Sequence, residues 1–134
     1  MRVICCLDDR NGMLFNGRRQ SRDSRLCEDV LELTNGSVLW VDAYTQNLFP
    51  AGEQVCVATD ILKIACAGEY CFVEKADIIL YADQISEFII YKWNRTYPAD
   101  VYFPMQLFNV WRLAETKEFA GNSHDKITRE VYRK

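Results

Sequence analysis

The chain opens with an uninterrupted apolar run, residues 3–7, around which the rest of the sequence is organised. An unbroken run that ends at a turn is typical of a strand buried on both faces, at the centre of a parallel or mixed sheet. The turn follows at residues 9–12, where Asn11 and Gly12 tolerate a positive φ and the side chain of Asp9 accepts hydrogen bonds from nearby backbone N–H groups. We therefore predict a central first strand whose loop borders the site that such sheets usually carry.

Strand-like and helix-like patterns then alternate as far as residue 93. Apolar residues at helical spacing predict a helix over residues 26–33, a second over residues 60–67 with Thr59 as its cap, and a third that ends at Tyr81. A short helix or turn fits residues 42–49. Short apolar runs predict four further strands, at residues 37–41, 54–58, 70–73 and 88–93.

The pattern changes in the last third of the chain. Residues 94–104 are irregular, whereas residues 111–119 and 127–132 alternate between apolar and polar on either side of a turn at residues 120–122. This arrangement predicts an antiparallel hairpin. The whole sequence therefore indicates an α/β fold with a mostly parallel central sheet, helices on both faces and a C-terminal antiparallel hairpin.

Composition is that of one globular domain, residues 1–134. Of the 134 residues, 49% are hydrophobic and 26% are charged. No apolar run approaches the ~18 residues that a membrane span needs, and the N-terminus lacks the pattern of a signal peptide. We expect a cytoplasmic protein without a membrane partner.

The charge is unevenly distributed. The net charge of −3 is the sum of +3 in residues 1–25, with six Arg against three Asp, and −6 in the remainder, with ten Lys or Arg against sixteen Asp or Glu. An acidic chain is a poor general nucleic-acid binder. A local arginine cluster nevertheless holds a single phosphate or carboxylate well.

Cysteine and histidine usage argues against a metal site. Five of the six cysteines lie in apolar patterns, where a reduced thiol packs as a small hydrophobic group, and there is no Cys-x-x-Cys pair. His124 is the only histidine, which excludes the several-histidine site of zinc β-lactamase-type nucleases such as ribonuclease Z. A Ser–His or Cys–His nucleophile pair would need His124, which we interpret instead as a residue of the hairpin turn.

The main candidate site is a basic loop before the first helix. Asp23 lies among four arginines: Arg18, Arg19, Arg22 and Arg25. Facing a cleft beside the first strand, this loop would suit a small anionic ligand, with Asp23 as a hydrogen-bond or acid–base partner. The alternative is a solvated basic loop, in which a pair such as Arg22 and Asp23 contributes less than ~1 kcal/mol. Residues 91–95 either wall the same cleft or belong to the core, and we favour the core for Trp93.

An Asp-x-x-Phe-Pro loop at residues 100–104 leads into the final hairpin, which carries Trp111, Glu118, Phe119, Ser123, His124 and Glu130. These residues resemble the closing segment of dihydrofolate reductases. The opening strand, the Gly12-Met13 loop, the first helix and the strand at residues 38–41 follow in the family's order, and residues 55–73 resemble its strand–helix–strand unit. The resemblance implies a dihydrofolate reductase-like three-layer sandwich with one strand fewer than the family, the deficit falling near residues 50–53.

The chain departs from that family at its cofactor contacts. Where the family has a Gly-Gly pair that lets the backbone approach the cofactor diphosphate, residues 73–75 read Val-Glu-Lys, and Glu74 would repel phosphate. After the strand at residues 38–41 the family carries an Arg, whereas residues 42–45 keep Thr45 without one. NADPH is therefore possible but disfavoured, and we predict no cofactor.

The substrate contacts depart as well. The acid that manages substrate protonation in the family aligns with Arg25, with Asp23 two residues away, and its folate-contacting Thr aligns with Tyr91. On this resemblance and the basic loop, we predict a ligand site formed by Arg18, Arg19, Arg22, Arg25, Thr45 and Tyr91, with Asp23 as the candidate acid.

Three functions remain open. The first is a shortened dihydrofolate reductase-like domain without normal NADPH-dependent folate reduction, which holds a small anionic or nucleotide-like ligand in the arginine loop. The second is an active reductase on a flavin or nicotinamide, with Asp23 as its acid. The third is a non-catalytic module that forms a homo-oligomer through an exposed sheet edge or face.

Overall fold

The computed structural model describes residues 1–50 and 52–134. Its strands and α-helices are β1 (Arg2–Leu7), β2 (Gly12–Phe15), β3 (Arg18–Arg19), α1 (Ser24–Leu33), β4 (Leu39–Val41), β5 (Val55–Val57), α2 (Ile61–Ile64), β6 (Tyr70–Phe72), β7 (Glu87–Lys92), β8 (Val101–Tyr102), β9 (Arg112–Phe119) and β10 (Ile127–Arg133). Three 3-10 helices lie at Thr45–Leu48, Ile79–Gln84 and Met105–Val110.

A seven-stranded sheet in the order β5-β4-β6-β1-β7-β10-β9 forms the middle layer. The first five strands of this order run parallel, β10 is antiparallel to β7, and β9 is antiparallel to β10. β1 is central, with its apolar residues from Val3 to Cys5 fully buried. The predicted fold class is confirmed: a mostly parallel sheet that ends in an antiparallel hairpin.

Each face of the sheet carries its own apolar core. On one face, Leu26 and Val30 of α1 pack against Ile4 and Ile89, and burying each such side chain contributes roughly 1.5–3 kcal/mol. On the other face, α2 and the two later 3-10 helices cover a second cluster that includes Val3, Cys5 and Phe88. The three layers therefore follow from strands that are apolar on both sides.

The helices on the second face are shorter than the periodicity predicts. The prediction of a helix over residues 60–67 capped by Thr59 is wrong, because α2 spans only Ile61–Ile64 and Asp60 occupies its N-cap position. Ala65 takes an extended conformation, and Gly68, at a φ of 82°, turns the chain into β6. The predicted third helix is a 3-10 helix at Ile79–Gln84.

The turn after β1 is held by Asp8 and not, as predicted, by Asp9. The Asp8 carboxylate accepts hydrogen bonds from the backbone amides of Arg10 and Gly12, and also from that of Tyr97, 89 residues away. Asn11 has the positive φ that the turn requires, 65°. Asp8 therefore joins the loop after β1 to the loop after β7.

The edges of the sheet differ in length. β9 is an exposed edge strand of eight residues that carries four charged side chains, and charge on an edge disfavours the addition of another strand. The predicted missing strand near residues 50–53 includes Ala51, which lies outside the described residues. Among the described residues no strand lies between β4 and β5. None of the helices within residues 1–50 and 52–134 is both long and apolar enough for a membrane crossing.

Candidate functional site

A cleft opens at the carboxyl ends of β1 and β6, beside the N-terminus of α1, and we call it the α1 cleft. Its open volume, counted together with space exposed to solvent, is about 400 Å³. Its wall is mainly apolar, formed by Met13, Leu26, Leu48, Phe72, Val73 and Trp93 with the thiols of Cys6 and Cys27. Its polar lining consists of Arg19, Gln20, Ser21, Arg22, Asp23 and Glu74.

The four predicted arginines have four different environments. Arg22 lines the α1 cleft and makes no ion pair with any residue in the described part of the chain. Arg19 lines the cleft too, but its guanidinium is bound to Glu74. Arg25 points along the exposed side of α1 to Glu28, at 2.8 Å, and Arg18 borders a separate, more open cleft. The structure therefore leaves Arg22 as the cation available to a ligand there.

Glu74 closes the corner of the cleft next to β6. Two nitrogens of Arg19 donate to its two carboxylate oxygens at 2.8 and 3.0 Å, and the Thr45 hydroxyl donates to it at 2.7 Å. The Arg19 guanidinium also stacks on the ring of Tyr44, 4.2 Å from its centroid. Although desolvation alone would lower the pKa of Arg19, its hydrogen bonds and charge interaction with Glu74 raise that pKa. Predicted ligand residues Arg19 and Thr45 are therefore engaged with each other through Glu74.

Asp23 is the N-cap of α1, and its side chain is fully buried. One carboxylate oxygen accepts from the backbone amides of Arg25, Leu26 and Asn122. The other accepts from the amide and hydroxyl of Ser123 and from Nδ1 of His124 at 3.0 Å. Although burial tends to raise the pKa of this carboxyl, these hydrogen bonds outweigh it and hold the pKa well below the ordinary value. Asp23 is therefore ionised and ties the helix to the β9–β10 turn.

At Gly121 the β9–β10 turn leaves no room for a side chain next to Asp23. A Cβ atom on Gly121 would lie 2.6 Å from Oδ2 of Asp23 and 2.7 Å from the carbonyl oxygen of His124. No other residue fits without displacing the turn. Glycine at this position therefore permits the contact between Asp23 and the turn.

His124 is buried beside the α1 cleft, where it contacts three of the cleft's lining residues, Ser21, Asp23 and Trp93. Its ring stacks on Trp93, with the centroids 4.6 Å apart and an angle of 25° between the planes. Nε2 lies 2.9 Å from the hydroxyl of Tyr97 and 3.1 Å from that of Ser21. His124 lies in the turn between β9 and β10, as interpreted from the sequence, but its ring is buried and makes contacts in the core.

Tyr91 lies away from the α1 cleft. Its hydroxyl donates to Asp29 of α1 at 2.7 Å, and Asp29 also binds Lys117 and Arg129 of the hairpin. Desolvation, followed by the charge of Asp29, raises the pKa of Tyr91. This buried network joins α1 to the hairpin, and it does not bring the predicted ligand residue Tyr91 to the site.

A second, wider cleft lies farther along the same edge of the sheet, at the carboxyl ends of β4, β5 and β6. It has an empty volume of about 740 Å³. The charged residues of its wall are Asp42, Asp60, Asp77, Lys63 and Lys75. We call it the acidic cleft, because its three carboxylates outnumber its two lysines.

No family model matches the chain, and no curated protein matches it. Solved structures do match. Among them is dihydrofolate reductase from Enterococcus faecalis complexed with NADP(H) and RAB-propyl, at a TM-score of 0.69 and 12% sequence identity, covering 98% of this chain and 94% of that one. This chain has a dihydrofolate reductase-like fold. The likeness at 12% identity concerns the dihydrofolate reductase-like fold alone, and it confirms the fold that the resemblance implied.

Sequence reasoning missed Ser21 as a residue of the α1 cleft lining, the hydrogen bonds that Tyr97 and His124 make with it, and the pairing of Glu74 to Arg19. The sequence does contain a signal for His124: an aspartate that can cap the first helix and the only histidine of the chain are both candidates for a polar network. Nothing in the sequence shows that the two meet across 101 residues. Among the described residues, no group of three or more His, Cys, Asp and Glu side chains has an arrangement suited to a metal ion.

Proposed function

We propose that this dihydrofolate reductase-like domain binds a small organic anion in the α1 cleft and does not bind NADPH in the manner of the family. The observation that carries the proposal is the position of Arg22, a cation in the cleft wall without an acidic partner in the described part of the chain. A guanidinium in that position suits a carboxylate or phosphate, which it can bind through two parallel hydrogen bonds.

The rest of the cleft suits the apolar part of such a ligand. Phe72, Val73 and Leu26 are buried side chains that present an apolar wall, and Trp93 adds an aromatic one. An apolar pocket with a few polar groups fixes the orientation of a ligand while burying its surface. We therefore infer a ligand with a flat or compact apolar body and one anionic group.

The surroundings of Glu74 support the absence of normal dinucleotide binding. The side chain of Glu74 occupies the place at which the resemblance puts a glycine, and Arg19 and Thr45 already hold it. Farther along the edge, the acidic cleft would repel the several negative charges of a dinucleotide phosphate. The residues present therefore do not fit NADPH.

The environment of Asp23 argues against a reductase that uses this residue as its acid. A general acid needs a pKa near the working pH and a proton to give. Hydrogen bonds hold the pKa of Asp23 well below its ordinary value despite burial, and its oxygens already accept six hydrogen bonds. We infer that Asp23 acts as a structural anchor.

Calorimetric titration with benzoate tests the proposal, with benzamide as its neutral isostere. We expect benzoate to bind with a Kd of about 0.1–1 mM and benzamide to bind at least about tenfold more weakly. Arg22→Gln should weaken benzoate binding about tenfold. Arg25→Gln removes an equal charge from outside the cleft and should leave benzoate binding unchanged. Equal binding of benzoate and benzamide, or equal effects of the two substitutions, would contradict the proposal.

A further inference from the structure

Ser21 and Asp23, which line the α1 cleft, and the buried ring of His124 between them form a hydrogen-bonded chain that anion binding does not use. The Ser21 hydroxyl lies 3.1 Å from Nε2 of His124, and Nδ1 of the same ring lies 3.0 Å from Oδ2 of Asp23. A hydroxyl, an imidazole and a buried carboxylate in this order are the parts of a serine nucleophile with its base and the group that orients the base. Such sites are recognised by geometry and roles, whatever the order of the residues in the sequence.

The ring of His124 is held in the orientation that a base needs. Asp23 is ionised and can only accept hydrogen bonds, so the proton of the neutral ring lies on Nδ1 and Nε2 is left as the acceptor. Stacking on Trp93 fixes the plane of the ring, and 2% of the His124 side chain is exposed. The orientation of the His124 ring therefore depends on burial and packing, in addition to its hydrogen bond with Asp23.

Ser21 is half-buried and faces the cleft, so that its hydroxyl can be reached by a ligand. The backbone N–H of Arg22, the next residue, donates to no acceptor within residues 1–50 and 52–134. An N–H from the residue after the nucleophile is a common donor to the oxyanion in acyl transfer. Tyr97 also reaches Nε2, at 2.9 Å, and its hydroxyl lies 3.4 Å from that of Ser21.

We propose that Ser21 is a nucleophile for acyl transfer from small esters, with His124 as its base and Asp23 as the residue that orients the base. Oγ of Ser21 forms a bond to the acyl carbon while its proton passes to Nε2, and the bond to the leaving oxygen breaks with its electron pair. An alkoxide leaving group takes the proton back from Nε2. Water then attacks the acyl-serine, gives a proton through Nε2 to the Ser21 oxygen, and releases the carboxylic acid.

The cysteines of the same cleft are poor competitors for this role. Burial raises the pKa of Cys27 to about 11, and burial followed by the charge of Glu74 raises the pKa of Cys6 well above its ordinary value. The thiolate is the reactive form of cysteine, so both groups stay unreactive at neutral pH. Among the described residues that line the cleft, Ser21 alone carries a hydroxyl group.

The test uses 4-nitrophenyl acetate with the full chain. We expect a burst of about one 4-nitrophenolate per chain and an acetyl group on Ser21 in the mass spectrum of the digested protein. Ser21→Ala should remove the burst and lower turnover at least about 100-fold. Ser24→Ala removes an exposed hydroxyl outside the cleft lining and should leave both the burst and turnover unchanged.

Tyr97→Phe separates a catalytic from a structural role of this network. It removes the competing hydroxyl from Nε2 and leaves that of Ser21, so we expect acylation to become a few times faster. If Ser21→Ala retains the burst while its unfolding temperature matches that of the unsubstituted chain, or if the acetyl group lies on another residue, the inference is overturned. The ester is neutral and does not need Arg22 to hold an anion. If Ser21 is not acylated, the proposal that the cleft binds benzoate is unaffected. If benzoate does not bind, the proposal that Ser21 is acylated is unaffected.

Discussion

The two clefts at the carboxyl edge of the sheet lie next to each other and have opposite electrostatic character. The α1 cleft is apolar, with Arg22 as its available cation, whereas the acidic cleft has three aspartates against two lysines. Both are formed at strand ends, where parallel sheets usually bind ligands. Side-chain charge therefore distinguishes the two clefts, whereas their position in the fold does not.

Residues 73–75 separate the two clefts. Glu74 faces the α1 cleft, where Arg19 neutralises it, and Lys75 faces the acidic cleft. Arg19 and Glu74 therefore form an ion pair at the boundary between the two clefts.

The largest expected effect is on the wall of the α1 cleft. Asp23→Ala removes the cap of α1 and leaves partly buried amides of the β9–β10 turn without an acceptor. We expect a loss of about 3 kcal/mol in the free energy of unfolding, from roughly 1 kcal/mol for the cap and the remainder for the unpaired amides. Urea unfolding measures this loss. Asp125→Ala, in the same turn but exposed, is the control and should change stability by less than about 0.5 kcal/mol.

The next effect concerns the ion pair between the clefts. Glu74→Gln leaves the half-buried guanidinium of Arg19 without its carboxylate, and we expect a loss of about 2 kcal/mol, because partial exposure reduces the cost of a broken buried pair. The freed Arg19 should also raise the affinity for pyrophosphate several-fold. A double-mutant cycle with Arg19→Gln provides the check: additive losses of stability would show that the two side chains do not interact.

A smaller effect is expected on acid stability. Hydrogen bonds hold the pKa of Asp23 below its ordinary value against the opposing effect of burial, and the pKa values of Asp8 and Asp29 are lowered in the same way. Such carboxylates stabilise the folded state fully above the pKa of about 3.9 of the unfolded chain, and the stabilisation is lost as the pH falls toward the folded values. Urea unfolding between pH 6 and pH 3, about two units above and one below that value, should show this decline.

The Asp23→Ala variant sharpens the acid measurement. One of the three carboxylates is then absent, so stability should fall less steeply below about pH 4 than in the unsubstituted chain. If the free energy of unfolding falls with pH at the same slope in both proteins, Asp23 has the same pKa in the folded and unfolded states.

The smallest expected effect tests the acidic cleft. Asp60→Asn removes one carboxylate from an open, solvated wall, where the repulsion of an anion is weak and screened by salt. We expect pyrophosphate to bind about threefold more tightly at low ionic strength, with benzoate binding in the α1 cleft unchanged. A change in benzoate binding of the same size would show that the two clefts are not electrostatically separate.

Much of the fold could be predicted, because its buried strands are apolar runs in the sequence and its hairpin strands alternate between apolar and polar residues. The central position of β1, the helix α1 and the C-terminal hairpin follow from local patterns of this kind. The length of α2 could not be predicted, since four residues of helix followed by an extended Ala65 depend on contacts made elsewhere.

The candidate site could be predicted only in part, because it depends on contacts between distant residues. Arg22 and Asp23 lie where the loop was expected, but Glu74 reaches Arg19 across 55 residues and His124 reaches Asp23 across 101. Tyr91 illustrates a second reason why the site could be predicted only in part. β7 is buried on both faces, so alternation along it does not show which face a given side chain takes.

Calorimetric titration of the unsubstituted chain with NADPH and with benzoate is the decisive experiment for the proposed ligand preference. We expect benzoate to bind with a Kd of about 0.1–1 mM and NADPH to show no saturable heat up to about 1 mM. Saturable binding of NADPH at micromolar concentration would contradict the proposal that Glu74, paired with Arg19, prevents NADPH from binding in the manner of the family.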